Sequence, residues 1–176
     1  MKNALKICTP LDTDVIKKLK AGQFVFISGT IYTARDQAHL RLAGLIKSGK
    51  KLPLVLKNQI IYYTGPTPAG KGRPVGSCGP TTSSRMDEFT PSLLDAGVKV
   101  LIGKGRRSQE VVRSLKKNKG VYLMAPAGCG AYLSERVKKA KLLTFGDLGP
   151  EAIYKLEVEN FPAVVAIDSR GRKITA

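Results

Sequence analysis

Between Val98 and Met124 the chain reads VKVLIGKGRRSQEVVRSLKKNKGVYLM, and the order of its parts decides the fold. Val98–Ile102 is an apolar run of strand type, Gly103-Lys104-Gly105 a turn, Ser108–Asn118 a helix and Val121–Met124 a second strand. Strand, helix and strand in that order imply an α/β sheet with parallel segments. Working outward, helices are expected at Pro91–Ala96 before this unit and at Cys129–Ala140 after it. Further upstream, Ile60–Tyr63 reads as a strand, followed by a Gly/Pro-rich stretch, Gly65–Pro80, too polar for a core. Ala38, Leu42, Leu45 and Ile46 fall at helical spacing within Arg35–Lys47, and Ser48-Gly49 and Pro53 end that helix. Phe24–Ile27 reads as a buried strand that Ser28-Gly29 breaks or bends, and a short helix, Val15–Lys20, precedes it. Downstream, Ile153–Val158 and Ala163–Asp168 read as two strands around Phe161-Pro162, closed by a Ser169-Arg170-Gly171 turn. The expectation is one α/β domain over residues 1–176, with strand-rich ends and a βαβ centre.

Composition narrows the class. Of 176 residues, 30 are Lys or Arg and 13 Asp or Glu, giving a formal charge of +17, while 43% are hydrophobic. That apolar share buries a sizeable core and argues against disorder. No apolar run approaches the ~20 residues that span a bilayer, and the opening MKNALKICTPLDTD lacks an apolar signal core, so a cytoplasmic protein is expected. Cys8, Cys78 and Cys129 are odd in number and widely spaced, which fits neither a disulfide framework nor paired metal ligands. The high charge suits nucleic acid, anionic substrates or a solvated lysine surface. Pairs such as Lys17-Lys18, Lys116-Lys117 and Lys138-Lys139 mostly close expected helices, where positive charge complements the dipole. With aromatics at 6% and Trp absent, no base-stacking strip is visible.

Chemistry concentrates in Tyr63-Thr64-Gly65-Pro66-Thr67-Pro68 and in Gly76-Ser77-Cys78-Gly79-Pro80-Thr81-Thr82-Ser83-Ser84-Arg85-Met86-Asp87. Glycines let the main chain approach a ligand, Pro80 suits the first turn of a helix, the hydroxyls face outward, and Arg85 offers a planar fork for carboxylate or phosphate. The run reads as an anion cradle, or more plainly as a surface loop that caps a helix. A second candidate is Thr33–His39, where a strand hands over to a helix; its plainer reading is a solvated helix start with a structural His39. A third is Ile102-Gly103-Lys104-Gly105, otherwise a plain turn. Ala125–Gly130 offers glycines before another helix, and neither run has P-loop spacing, which argues against nucleotide hydrolysis. Cys129, with no His near it in sequence, is read as a packing residue.

These motifs, with Leu19-Lys20-Ala21-Gly22, Ser28–Asp36, Leu148–Ala152 and Val158–Ala163 in the same order, give nearly full-length resemblance to one family. The chain resembles the beta subunit, or C-terminal domain, of class I iron-sulfur fumarate hydratases and the related L-tartrate dehydratases. The resemblance implies a swivelling β/β/α domain with a mixed sheet and flanking helices, and a hydro-lyase that adds water across the double bond of a dicarboxylate. It implies a four-iron, four-sulfur cluster held by three cysteines of a separate alpha subunit; the cysteines here do not coincide with those ligands, so no metal-binding residue is assigned. Substrate-lining residues carried over are Arg35, Thr81, Arg85 and Lys104, with Thr81 in the position of the proposed base and an acidic residue of the alpha subunit taking its proton. Fumarate hydration to L-malate is the preferred reaction and tartrate dehydration the alternative, in a heteromer built on a homodimeric core. The loop Ala69–Pro74, extra basic here, departs from the family and leaves substrate choice open. From another class, a non-catalytic basic RNA-binding protein remains the alternative.

Overall fold

The computed structural model describes residues 4–174; residues 1–3 of the opening segment and 175–176 of the expected domain lie outside the described residues. In chain order the elements are β1 (Leu5–Cys8), α1 (Thr13–Lys18), β2 (Phe24–Thr33), α2 (Asp36–Lys47), β3 (Ile60–Tyr62), a 3-10 turn at Ser83–Met86, α3 (Thr90–Asp95), β4 (Val100–Gly103), α4 (Gln109–Asn118), β5 (Val121–Met124), α5 (Gly130–Ser134), β6 (Val137–Thr144), a 3-10 segment Gly146–Glu151 and β7 (Ile153–Ile167).

β1 to β5 run parallel, each to its neighbour, and β7 lies antiparallel to β2, β5 and β6. Because β7 also pairs with β2, the pairing closes on itself from β2 through β3, β4 and β5 back to β2. β3, β4 and β5 are apolar almost throughout because both their faces are covered. Ile60, Tyr62, Val100, Ile102, Val121 and Leu123 face a core shared with Val25 and Ile27 of β2 and with Leu156, Val158 and Phe161 of β7. Ile61, Leu101 and Tyr122 face a second core filled by Ala38 and Leu42 of α2, Leu93 and Leu94 of α3, and Val111 and Leu115 of α4. A one-residue slip in register would exchange these two sets, so alternation fixes which face of β3 to β5 meets β2 and β7 and which face meets the helices. Truncating a fully buried member such as Leu42 or Leu115 to alanine costs about 2–5 kcal/mol.

The expected strands and helices around Val98–Met124 are present, and two expectations need correction. Cys129–Ala140 is not one helix: α5 covers five residues, and Lys138-Lys139 belongs to the edge strand β6, whose ladder to β7 pairs Lys139 with Glu157. Ile153–Val158 and Ala163–Asp168 are one strand of 15 residues rather than two. Ser28-Gly29 bends β2 without breaking it. There β7 holds an extra residue, Asn160, in the left-handed region at φ 49°, opposite the register shift between Ile27 and Gly29. This is a β-bulge, and the Asn160 N–H released from the ladder is taken by Ser28 Oγ at 3.1 Å.

Candidate functional site

Parallel strands end on one edge of a sheet, and ligands of α/β sheets bind outside their carboxyl ends. Here that edge carries Arg35 just after β2, the Tyr63–Asp87 segment after β3, Lys104 just after β4 and Ala125–Gly130 after β5. The four residues singled out in the sequence, Arg35, Thr81, Arg85 and Lys104, therefore all lie at the same end of the sheet.

Arg35 and Arg85 meet on one carboxylate. Arg35 is the residue before α2, and its Nε donates to Asp36 Oδ2 at 3.2 Å; Arg85, in the 3-10 turn, donates through Nε to Asp36 Oδ1 at 2.8 Å. Glu151 joins the cluster, 3.5 Å from Arg35 Nη2, and its other oxygen accepts the Gln37 N–H at 2.8 Å. Burial opposes ionisation of Asp36, but hydrogen bonds from its own N–H and from Arg35, with the charges of Arg85 and Arg35, outweigh it and hold the carboxyl below the usual range. Gly65 is required beside them: a Cβ there would stand 2.9 Å from the Pro150 carbonyl and 3.0 Å from Arg35 Cδ. Both terminal nitrogens of Arg85 lack a partner among the described residues, and its side chain is 52% exposed.

Thr81 and Lys104 sit on adjoining extended segments. The Thr81 N–H donates to the Tyr63 carbonyl at 2.6 Å, the Lys104 N–H donates to the Thr81 carbonyl at 3.3 Å, and Ser83 N–H donates to the Lys104 carbonyl at 2.9 Å. Thr82 and Lys104 thus form a parallel bridge. The reading of Gly103-Lys104-Gly105 as a plain turn is incomplete, because the lysine continues the sheet edge. Neither the Thr81 hydroxyl nor the Lys104 ammonium is hydrogen-bonded or ion-paired within the described residues, and both side chains are half-buried. Beside Lys104 opens a groove of about 600 Å³ lined by Phe24, Phe26, Met124, Tyr132 and Pro162.

The loop differs from expectation in two respects. Pro80 does not open a helix, since helical structure begins at Ser83 and lasts one turn. Nor do all the hydroxyls face outward: Ser83 is buried, its Oγ 2.9 Å from the Tyr122 hydroxyl, which also lies 2.9 Å from the Gly105 carbonyl. The carbonyl can only accept, so Tyr122 donates to Gly105 and accepts from Ser83. Gly103 carries no side chain because a Cβ would collide with Ser83 and Tyr63. In the Ala125–Gly130 loop, Gly130 packs on Gly79 and its carbonyl accepts the Cys78 N–H at 3.0 Å, so this run braces the Gly/Pro segment and leads into a helix of only five residues.

Beneath the edge lies a buried polar layer that sequence reading missed. Arg107 donates through Nε to Asp87 at 2.7 Å and through Nη2 to Thr90 Oγ1 at 2.7 Å. Burial opposes its charge, and Tyr63 and Asp87 more than offset that, so its pKa is raised. The only sequence signal was the pairing Arg106-Arg107, which reads as surface charge. His39 is buried on α2, and burial pushes its pKa down to about 4. Its Nδ1 lies 3.0 Å from the Arg35 carbonyl, so Nδ1 carries the proton and the bare Nε2 has no partner among the described residues, with Tyr63 edge-on at 5.1 Å.

Cys8 is exposed, Cys129 intermediate, and Cys78 is buried, its thiol pushed up to about 11 by burial. No group of three His, Cys, Asp or Glu among the described residues is arranged to hold a metal ion, so the donor set here does not fit an iron-sulfur cluster. No helix among the described residues is long and apolar enough to cross a membrane.

The sequence was then compared with known proteins. It is 42% identical over 165 residues to a protein of Methanocaldococcus jannaschii provisionally named L(+)-tartrate dehydratase subunit beta, covering 90% of this chain and 85% of that one. It is 42% identical over 147 residues both to fumarate hydratase 1, mitochondrial, of Leishmania major and to the anaerobic class I fumarate hydratase of Escherichia coli (strain K12). Those alignments take in 82% of this chain but only 27% of either enzyme, so the chain spans about a quarter of the fumarate hydratases it matches. Residues 2–176 match the family described as Fumarase C-terminus. The motif order, the β/β/α layering and this match agree, and the chain belongs to the Fumarase C-terminus family.

Proposed function

We propose that this chain is the beta subunit of an iron-sulfur-dependent hydro-lyase that reversibly hydrates fumarate to L-malate. The observation that carries the reading is the Asp36 cluster: two guanidiniums held through their Nε atoms on one carboxylate, with the terminal nitrogens of Arg85 left over. Those nitrogens are the natural partners of a substrate carboxylate, and Lys104 supplies a further cation for the other end of a dicarboxylate. Positive charge at that end also stabilises the aci-carboxylate formed when the neighbouring carbon loses its proton. Thr81 is the proposed base at that carbon. Its hydroxyl is a weak base, so it must hand its own proton to another group, in this reading an acidic residue of the alpha subunit. Hydroxide departs from the adjacent carbon in dehydration, and the reverse sequence adds water. The four-iron, four-sulfur cluster of the family is assigned to that alpha subunit, because the cysteines here do not make a ligand set.

The extent of the matches favours one second reading, L-tartrate dehydration. The Methanocaldococcus jannaschii relative, whose length this chain nearly spans, carries the tartrate dehydratase beta-subunit name, whereas the two fumarate hydratases are about four times as long as the matched part. In either case the holoenzyme is a heteromer, with a homodimeric core and a cytoplasmic location as further expectations. The test is anaerobic purification of the tagged chain with its partner from native extract, followed by ultraviolet assay of fumarate hydration and tartrate dehydration. Fumarate turnover that is lost in air supports the first reading, tartrate turnover alone supports the second, and turnover of neither by a cluster-bearing heteromer rejects both. A Thr81→Ala heteromer should lose about 10²- to 10⁴-fold in kcat, the range of a positioned proton-transfer group. Near-normal turnover by that variant removes Thr81 from the role.

A further inference from the structure

Thr81, Arg85 and Lys104 come from two separate segments, and a single buried side chain touches the anchors of both. Arg107, its side chain 0% exposed, donates through Nε to Asp87, two residues past Arg85. Asp87 in turn accepts the Ser108 N–H at 2.6 Å through its second oxygen, so one carboxylate clamps the loop after β4 to the loop carrying Arg85. Arg107 Nη2 donates to Thr90 Oγ1, which donates to the Met86 carbonyl at 2.8 Å, fixing the residue after Arg85. Arg107 Nη1 lies 3.4 Å from the hydroxyl of Tyr63, whose carbonyl holds the Thr81 N–H. The guanidinium also rests 5.0 Å from the ring centroid of Tyr122, the residue that ties Gly105 to Ser83 across the Lys104 segment.

Stability alone does not explain a charge here, because well-packed apolar side chains often replace buried ion pairs at no loss. What an apolar side chain cannot do is fix directions, and a guanidinium presents its donors in one rigid plane. We infer that Arg107 is a positioning residue: it sets the spacing of Lys104 relative to Thr81 and Arg85 and thereby the rate at which bound substrate reacts. The inference rests on the proposed hydro-lyase reading and adds to it a residue that touches no substrate.

The test compares heteromers assembled with wild-type chain, Arg107→Lys and Thr90→Val, with kcat and KM normalised to assembled, cluster-loaded enzyme. Lysine keeps the charge and loses the planar fork. A purely structural role lowers the melting temperature or the yield of heteromer but leaves kcat per assembled site alone. Positioning predicts that kcat per site falls about 30- to 100-fold in Arg107→Lys while KM moves about threefold or less, because misplacing reacting groups by an ångström costs about that much. Wild-type kcat in assembled Arg107→Lys overturns the inference and leaves the hydro-lyase reading intact. Should Arg107→Lys fail to assemble, Thr90→Val, which removes the acceptor of Arg107 Nη2, decides: a kcat lowered about 5- to 10-fold supports positioning, and an unchanged one overturns it. A wild-type heteromer that turns over neither fumarate nor tartrate overturns the hydro-lyase reading and this inference with it.

Discussion

Two aspartates organise arginines at this edge of the sheet, and they do so in opposite environments. Asp36 binds Arg35 and Arg85 where the arginine side chains are 26% and 52% exposed, whereas Asp87 binds Arg107 where the guanidinium is 0% exposed. In the buried pair the guanidinium is directed wholly to internal partners: Asp87, Thr90 and Tyr63. In the outer pair each guanidinium gives its Nε to the carboxylate, and Arg85 keeps its terminal nitrogens for something else. The same ion pair chemistry therefore does two jobs. Buried, it ties the loop after β4 to the loop carrying Arg85; half-exposed, it leaves the terminal nitrogens of Arg85 without a partner among the described residues.

The difference can be broken at Asp87 first. Asp87→Ala leaves a buried charge without its carboxylate, and urea unfolding should show a loss of about 3–5 kcal/mol; a loss under about 1 kcal/mol would mean that Arg107 finds another partner or water. The next effect concerns His39, which is packed between Arg35 and Tyr63. Its folded-state pKa of about 4 lies below the ordinary 6.5, so the unfolded chain takes up a proton at a pH where the folded chain does not. Stability from this group is complete above pH about 6.5 and falls as pH drops toward 4, by about 3 kcal/mol in all. Urea midpoints measured from pH 7.5 down to 4.5 should fall in the wild type and fall less in His39→Gln; parallel slopes refute the assignment. At the small end, Asp36→Asn should cost under about 1 kcal/mol, since half-exposed pairs are screened by water. That substitution should nonetheless raise KM for the dicarboxylate, so a large stability loss with unchanged KM would invert the comparison.

Much of this architecture was legible because continuous apolar runs such as Val98–Ile102 and Val121–Met124 are what a strand covered on both faces requires. The Arg35–Lys47 helix declared itself by spacing. β6 did not, because Val137–Thr144 is rich in Lys, Ala and Leu, which favour helix locally, and only pairing along one edge with β7 makes it a strand. Pro162 hid the continuity of β7, since proline usually ends a ladder. At the site, Arg35, Thr81, Arg85 and Lys104 stood out through motif context, and the structure brings their segments together. Tyr122 and Arg107 did not stand out, and Asp87 did so only as the end of the Gly79–Asp87 run: nothing in a one-dimensional pattern separates an arginine that will be buried against an aspartate 20 residues away from one that faces water.

The claim that matters most is that the outer cluster holds a substrate carboxylate. Steady-state kinetics of fumarate hydration by an anaerobic heteromer carrying Arg85→Met measures it directly. Removing a fork that binds carboxylate predicts a KM raised about 100-fold, with the melting temperature within a few degrees of wild type. A KM unchanged in that variant, with wild-type enzyme active beside it, contradicts the account.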